Sequence, residues 1–438
     1  MTTRTTTQIE ALRERVATQL GERLDVHIER ITWDADRIAR HQRDRLGALL
    51  AHALENSPFH ARRLAGVDPK RVELSELPVM TKAEMMESFD DVVTDRRIRL
   101  ADVEQHLTES IEEPSLLFDE YVCLASGGSS GLRGVFVHAV SEYLEFGSSV
   151  MRRACARGRA MGVEQLHVAL VAASSPIHST GFAAATVRGG PLVFYPAPAT
   201  LPIDEIVARL NELQPPLVFG YPSTLSRLAR EQDAGRLRIA PMAITSTSEP
   251  LTPEDRATIA AAFGVPLIDQ FASTEGLAGS SDPDSDVINF ASDMCIVELV
   301  DERRALVTNL HNFTQPLIRY ELTDCLVRQP DSPDHGHLRA TVRGRADDVF
   351  RYGDVEIHPH VIRSVLVKAP TVREYEIRQS EQGIDASVVA DGYYGELGAA
   401  LESALRDAGL EDPQVRVRSV DCIWPHPATG KVRRFIPL

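Results

Sequence analysis

An α/β protein in two unequal parts is the fold class this sequence predicts: a large N-terminal part with mainly parallel sheets and a β-rich addition, then a small α+β part. Three observations predict it. The chain has 438 residues, too many for one ordinary core. From about Tyr121 to Asp324, short apolar runs alternate with amphipathic segments, the signature of strands and helices layered on a parallel sheet. After Gly344-Arg345 the pattern starts afresh, leaving a final stretch of domain size. The boundary is set at 1–345 and 346–438.

Taken in order, the first hundred residues read as helical. In Leu46 to Glu55 the apolar positions recur at helical spacing, and Asn56-Ser-Pro stops them. Leu166-His-Val-Ala-Leu-Val-Ala reads as a buried strand, Pro202 to Leu213 as a helix, and Pro216-Leu-Val-Phe-Gly as the next strand. Thr252-Pro-Glu-Asp opens a helix with a Thr cap and Pro at its first position. Val265-Pro-Leu-Ile-Asp-Gln-Phe returns as a strand. Residues 292 to 344 hold several short β-like runs. Beyond them a helix is expected at His360 to Lys368, and strands at Glu374 to Gln379 and Asp385 to Ala390.

Composition narrows the function classes. An apolar share of 43% and a charged share of 25% are those of a globular protein. The formal charge of −16 argues against a nucleic-acid backbone as partner, though a small anion could still sit in a local basic pocket. Five cysteines, at 123, 155, 295, 325 and 422, lie too far apart for a CxxC pair. Neither a zinc knuckle nor a disulfide framework is suggested, and reduced thiols in a cytoplasmic protein fit best. The N-terminal run lacks an apolar leader, and no stretch is long enough to span a membrane.

Several segments could carry chemistry. Ser126-Gly-Gly-Ser-Ser-Gly131 is a Gly/hydroxyl loop between two strand-like runs. Its amide and hydroxyl donors could converge on a phosphate, or it could be a plain hairpin. No Gly-Lys-Ser/Thr follows, so it is not a Walker A loop. Asp269-Gln-Phe-Ala-Ser-Thr-Glu275 follows a strand, where ligands of parallel sheets gather. There Phe271 could stack on a base, Thr274 donate to a phosphate and Glu275 hold Mg²⁺. Core packing for Phe271 and a surface role for Glu275 are the plainer readings. Asp324 follows another β-like run, and a carboxylate can accept from both ribose hydroxyls. Arg343-Gly-Arg-Ala-Asp-Asp348 marks the break in pattern and suits a hinge or an ion-pair network. Lys431 stands in His426-Pro-Ala-Thr-Gly-Lys, on what reads as an exposed tail, and a tail can deliver its point charge to a distant phosphate or carboxylate.

Together and in this order, these segments resemble the ANL superfamily of adenylate-forming enzymes, and within it the phenylacetate–CoA ligase-like branch. Leu77-Pro-Val-Met-Thr-Lys82, Asn56-Ser-Pro-Phe-His, Phe219-Gly-Tyr-Pro-Ser and Asn309-Leu add to that resemblance, which spans roughly residue 45 to the end. It implies an adenylate-forming N-terminal domain and a mobile C-terminal lid carrying the lysine. By position, Ser126 with Gly127, Gly128, Ser129, Ser130 and Gly131 would form the phosphate loop, continued here by Leu132-Arg-Gly where many members have Pro-Lys-Gly. Glu249 resembles the adenine-side Gly-x-Glu-Pro segment. Phe271, Ala272, Ser273, Thr274 and Glu275 match the Tyr-Gly-x-Thr-Glu motif, with Glu275 on Mg²⁺. Asp324 would bind ribose, Arg345 the nucleotide, and Asp347 would be the hinge. Lys431 would promote adenylation, with Thr274 and Glu275 also catalytic. His178 would gate the acceptor, and Tyr221 and Ser246 would wall the substrate pocket.

The activity implied is ATP- and Mg²⁺-dependent adenylation of a small, aromatic carboxylate, followed by transfer to CoA. Alternatives are transfer to a carrier protein or an amine, or activation of nitrite to diazotise an aromatic amine. Some relatives carry a cysteine cluster after the Thr-Glu motif. Gly276-Leu-Ala-Gly-Ser-Ser has none, so no metal beyond Mg²⁺ is expected.

Overall fold

The computed structural model describes residues 6–126, 133–301, 304–369, 371–392 and 395–438. The opening region is helical as read: Thr6–Arg30 and Ala35–Asn56 are its long helices. The second is capped by Asp34, whose side chain accepts from the Arg37 amide, and it turns Ile38, Leu49, Leu50 and Ala53 inward. Thr81 and Glu84 form a reciprocal capping box on the short helix that follows.

A ten-stranded sheet dominates the larger part. Its centre is parallel. Leu166–Val171 pairs with Leu192–Pro196 on one side and Leu217–Gly220 on the other, followed by Ala243–Thr247 and Leu267–Ala272. Antiparallel wings extend this centre. Arg188–Gly189 closes one edge; Ala278–Ser281, Ile288–Phe290, Arg339–Arg345 and Asp324–Arg328 extend the other. The helices Ile203–Leu213, Pro222–Asp233 and Pro253–Phe263 connect the central strands. Thr252 caps the last of these through the Asp255 amide, with Pro253 at its first position.

Two smaller β units complete this part. Tyr121–Ala125 and Val135–Ala139 form an antiparallel hairpin, and Cys295–Asp301, Arg304–Asn309 and Tyr320–Leu322 a three-stranded sheet.

From Phe350 onward a separate apolar cluster gathers Phe350, Ile362, Leu366, Ile377, Leu401, Leu405 and Phe435. It lies between the helices Pro359–Leu366 and Leu397–Asp407 and a sheet ordered Gln414–Ser419, Gly383–Ala390, Val372–Ser380, Phe435–Ile436. That last short strand pairs parallel to Val372–Ser380, which anchors the C-terminal segment on the far side of Lys431.

Candidate active site

The hairpin sets the front of the site. Ala125 pairs with Val135, and the Ser126 hydroxyl accepts from the Gly134 amide at 2.8 Å, closing the neck of the Gly/Ser loop. Gly127 to Gly131 and Leu132 lie outside the described residues. Asn312 and Gln315 bind the free edge of the second strand: Gln315 accepts from the Val137 amide at 2.8 Å and donates to the Val135 carbonyl at 3.1 Å, and Asn312 donates to the Val137 carbonyl at 3.0 Å. Polar side chains thus supply a strand's hydrogen bonds and fix the hairpin's direction.

Thr274 and Glu275 occupy a tight turn after the Leu267–Ala272 strand. Asn309 holds it by donating to the Glu275 carbonyl at 2.8 Å. Gly276 has φ 95°, and a Cβ there would stand 2.2 Å from the Asn309 amide nitrogen, so only glycine permits this approach. Phe271 is half-buried and meets Phe290 edge-on, with ring centroids 5.3 Å apart. One of its edges is therefore committed to the core. Ala272 also packs against a core cluster, and the buried Ser273 hydroxyl has no partner among the described residues.

Asp324 opens the strand at the outer edge of its antiparallel wing, opposite Arg345 in register. Burial pushes its carboxyl up to about 6; Arg345 opposes the shift, and Glu275, Asp347 and Asp348 add to it. Arg345 donates to the Thr323 hydroxyl at 2.7 Å and to Asp347 at 3.1 Å. The Asp347 carboxylate is thus paired across the Ala346–Asp348 turn, at the junction between the two cores. Tyr320 is fully buried, its hydroxyl has no partner among the described residues, and the charges of Glu275 and Asp347 act on it.

Lys431 corrects the expectation of an exposed tail. His426 to Lys431 closes on itself, with the Gly430 amide on the His426 carbonyl at 2.7 Å and the His426 amide on the Lys431 carbonyl at 2.8 Å. Gly430, at φ 71°, lies so near Ala199 that a Cβ would come within 2.8 Å of it. The segment is docked on the larger part. The Val432 amide donates to Glu249 at 2.7 Å, and Arg434 grips Asp255 with contacts of 2.9 and 3.0 Å. The Lys431 ammonium lies 5.6 Å from the Tyr221 ring centroid. Burial and then Arg345 hold its pKa below the ordinary value, while Glu249 and Asp324 pull it up. One ammonium thus feels groups from three distant stretches of chain.

Three other expected site residues are engaged within the protein. The two oxygens of Glu249, expected on the adenine side, take the Ser223 and Val432 amides, so it joins the C-terminal segment to the larger part. Ser246, expected to wall the substrate pocket, lies on the Ala243–Thr247 strand. It is fully buried and donates to Asp269 at 2.9 Å, because alternate residues of a strand face opposite sides of the sheet. Tyr221 is likewise fully buried, its oxygen accepting from the Ala173 amide at 2.8 Å; it supports the lysine from beneath. His178 sits beside the hairpin, with Nδ1 3.0 Å from the Ala125 carbonyl. Burial, then the charges of Lys431, Arg133 and His426, hold it below the usual imidazole value.

Sequence reasoning missed two contributors: Thr323 orients Arg345, and the Asp255–Arg434 pair docks the tail. Asn309, which holds the Thr274–Glu275 turn, had stood out only by resemblance. A buried Asp paired with a residue 179 positions away leaves no local signal.

Among the described residues no group of His, Cys, Asp and Glu could hold a metal by protein ligands alone. Mg²⁺ typically keeps waters and takes one or two carboxylates plus substrate phosphates, so a lone Glu275 fits that ion. No helix among the described residues is long and apolar enough to cross a membrane.

No family model matches the chain. Protein CapK of Staphylococcus aureus is 22% identical over 317 residues, covering 67% of this chain. The match spans 63% of that curated relative's length. Among solved structures, 2-hydroxyisobutyryl-CoA ligase in the postadenylation state with R3-HIB-AMP superposes with a TM-score of 0.70 at 18% identity, over 93% of this chain and 90% of that one. An open conformation of the same ligase with 2-HIB-AMP and CoA gives 0.56 at 19% identity, over 90% of each chain. A benzoate CoA ligase from Burkholderia xenovorans LB400 gives 0.51 at 20% identity, over 71% of this chain and 67% of that one. The chain has the fold of these adenylate-forming CoA ligases.

Proposed function

We propose that this protein is an AMP-forming ligase: it adenylates a small carboxylate with MgATP and then passes the acyl group to an acceptor, with CoA favoured. The observation that carries the reading is the placement of Lys431, brought from the C-terminal segment to a point where Glu249, Asp324 and Arg345 all act on its ammonium.

In the first step a carboxylate oxygen attacks the α-phosphorus of ATP and pyrophosphate leaves. Lys431 places its charge beside the oxygens on which negative charge grows. Asp324 accepts from the ribose hydroxyls, and Thr274 donates to the α-phosphate. Mg²⁺, held by Glu275, would neutralise phosphate charge. The tail's docking through Val432 and Arg434 keeps Lys431 still, so little reorganisation accompanies the reaction.

For the second step we infer that residues 346–438 move as a lid about Asp347, withdrawing Lys431 and opening the edge beside His178 to a thiol. The better superposition on a postadenylation form than on an open form of one ligase supports reading this arrangement as the adenylating one. An aromatic acid remains the substrate class we favour, with a carrier protein or amine as rival acceptors and nitrite as a rival oxyanion. The test is release of pyrophosphate against a panel of aryl acids, amino-aryl acids and nitrite, with and without CoA. Acid-dependent release accompanied by CoA-dependent thioester is the outcome expected; release with nitrite alone would replace the carboxylate in this scheme.

A further inference from the structure

Away from Lys431, a cavity of about 420 Å³ opens between the two long N-terminal helices, the start of the Val140–Ala160 helix and the strand ends at Met294 and Leu310. Its walls carry Arg30, His41, Arg45, Glu142, Glu145 and Asp293. The carboxylates there are already answered by protein donors. Asp293 takes two N–H groups from Arg152 at 2.9 and 2.8 Å. Glu145 takes Arg23 at 3.1 Å and lies 2.9 Å from His27 Nε2. Glu142 takes the backbone amides of Ala139, Phe313 and Thr314 at 2.8 to 3.1 Å.

The cations are not answered in the same way. Among the described residues Arg45 donates only to the Leu310 carbonyl, at 3.2 and 2.9 Å, and its guanidinium lies over the Phe313 ring. Arg30 pairs with Asp293 only at 3.7 Å and reaches the Met294 sulfur at 4.0 Å through the same Nη1, and its buried Nε has no acceptor among the described residues. Burial, and after it the charge of Arg30, holds His41 below the ordinary imidazole value. A half-enclosed cleft with two guanidiniums whose donors exceed their acceptors is suited to a planar or tetrahedral oxyanion. We propose that this cavity binds a small phosphate or carboxylate anion between Arg30 and Arg45, separately from the nucleotide site.

The occupant would be felt at the Thr274–Glu275 turn. An anion taken by the remaining N–H groups of Arg45 would pull on the same guanidinium that holds the Leu310 carbonyl. The next residue, His311, lines the cavity and abuts Gly276, within about 3.0 Å of where a Cβ would stand. The residue before Leu310 is Asn309, which holds the Glu275 carbonyl. Drawing Arg45 toward an anion therefore loosens the strand end that positions Glu275. This effect on turnover rests on the proposed ligase reading; anion binding itself does not.

The experiment titrates inorganic phosphate and, separately, malonate into the full chain by calorimetry, at constant ionic strength set with chloride. The proteins are wild type, Arg45→Lys, the double variant Arg30→Gln/Arg45→Gln and Lys431→Ala. Wild type and Lys431→Ala should bind at least one probe alike, with a dissociation constant of roughly 1 mM or below. The double variant should lose tenfold or more, and Arg45→Lys, which keeps charge and stem if the double variant folds poorly, should fall between. Which probe binds more tightly tells phosphate from carboxylate. No binding by wild type above the chloride control, binding unchanged in both arginine variants, or binding lost in Lys431→Ala instead would each overturn the proposal.

Discussion

Replacing Asp324 by Asn should make the protein more stable and less able to bind ATP. The Asp324 carboxyl is pushed up to about 6, chiefly by burial. That is about two units above the ordinary value of 3.8, and at about 1.36 kcal/mol per unit it makes the ionised carboxylate cost about 3 kcal/mol in the fold. The residue is partly exposed, and screening trims this to roughly 2 kcal/mol. The sign follows from proton linkage. The folded chain keeps this proton until about pH 6, whereas the unfolded chain releases it near 3.8. Stability therefore falls as pH rises between those values, and the whole penalty is present above pH 6. Asparagine cannot ionise, so Asp324→Asn should melt a few °C above wild type at pH 7.5, with the advantage shrinking toward pH 5. ATP affinity should fall about tenfold or more as two charge-assisted hydrogen bonds become neutral ones. Thermal melts at pH 5, 6 and 7.5, with ATP titrations on the same samples, read both effects. A variant that melts at or below wild type at pH 7.5, or whose advantage does not grow with pH, would refute the argument from burial. Unchanged ATP affinity would remove Asp324 from the site.

Other substitutions probe the docked tail and the junction. Lys431→Ala should cut the adenylation rate on the order of 10²-fold or more, with a smaller change in ATP affinity and circular dichroism unaltered; normal pyrophosphate release would exclude the lysine. Arg434→Gln leaves Asp255 without its cation, so it should slow adenylation by loosening the tail while sparing transfer from preformed adenylate, as separate assays of the two steps would show. Asp347→Pro fixes φ near −65°, within the range of the helical turn Ala346–Asp348. Quenched single-turnover assays should then find adenylate formed and transfer to the acceptor lost. Equal loss of both steps would leave Asp347 a local structural role.

The elements that position the site were legible where local physics decides them. The Thr252 cap, the helix ending at Asn56 and the buried parallel strands each follow from a few neighbouring residues. The antiparallel wings were harder to read. Ala278-Gly-Ser-Ser281 has little strand propensity of its own, and its pairing with Leu267–Ala272 and Ile288–Phe290 supplies what the sequence lacks. At the proposed site, the motif residues Thr274, Glu275, Asp324 and Arg345 are expected from their order along the chain; the side chains they pair with are not. The amides at 223 and 432 that the Glu249 oxygens accept from lie too far along the chain to be read from its neighbours. The hydrogen bond from Ser246 to Asp269 was not legible, because which face of Ala243–Thr247 points inward depends on the layers packed on it. Lys431 read as exposed because nothing near it in sequence shows that Glu249 and Asp255 wait for its neighbours.

The most direct test of the central claim follows the nucleotide. Purified protein, MgATP and the acid panel are incubated with labelled pyrophosphate, and both the label returned to ATP and the nucleotide product are measured. The account predicts exchange that requires an acid substrate, vanishes in Lys431→Ala, and yields AMP when an acceptor is added. ATP turned over to ADP and phosphate, or exchange undiminished in Lys431→Ala, would contradict it.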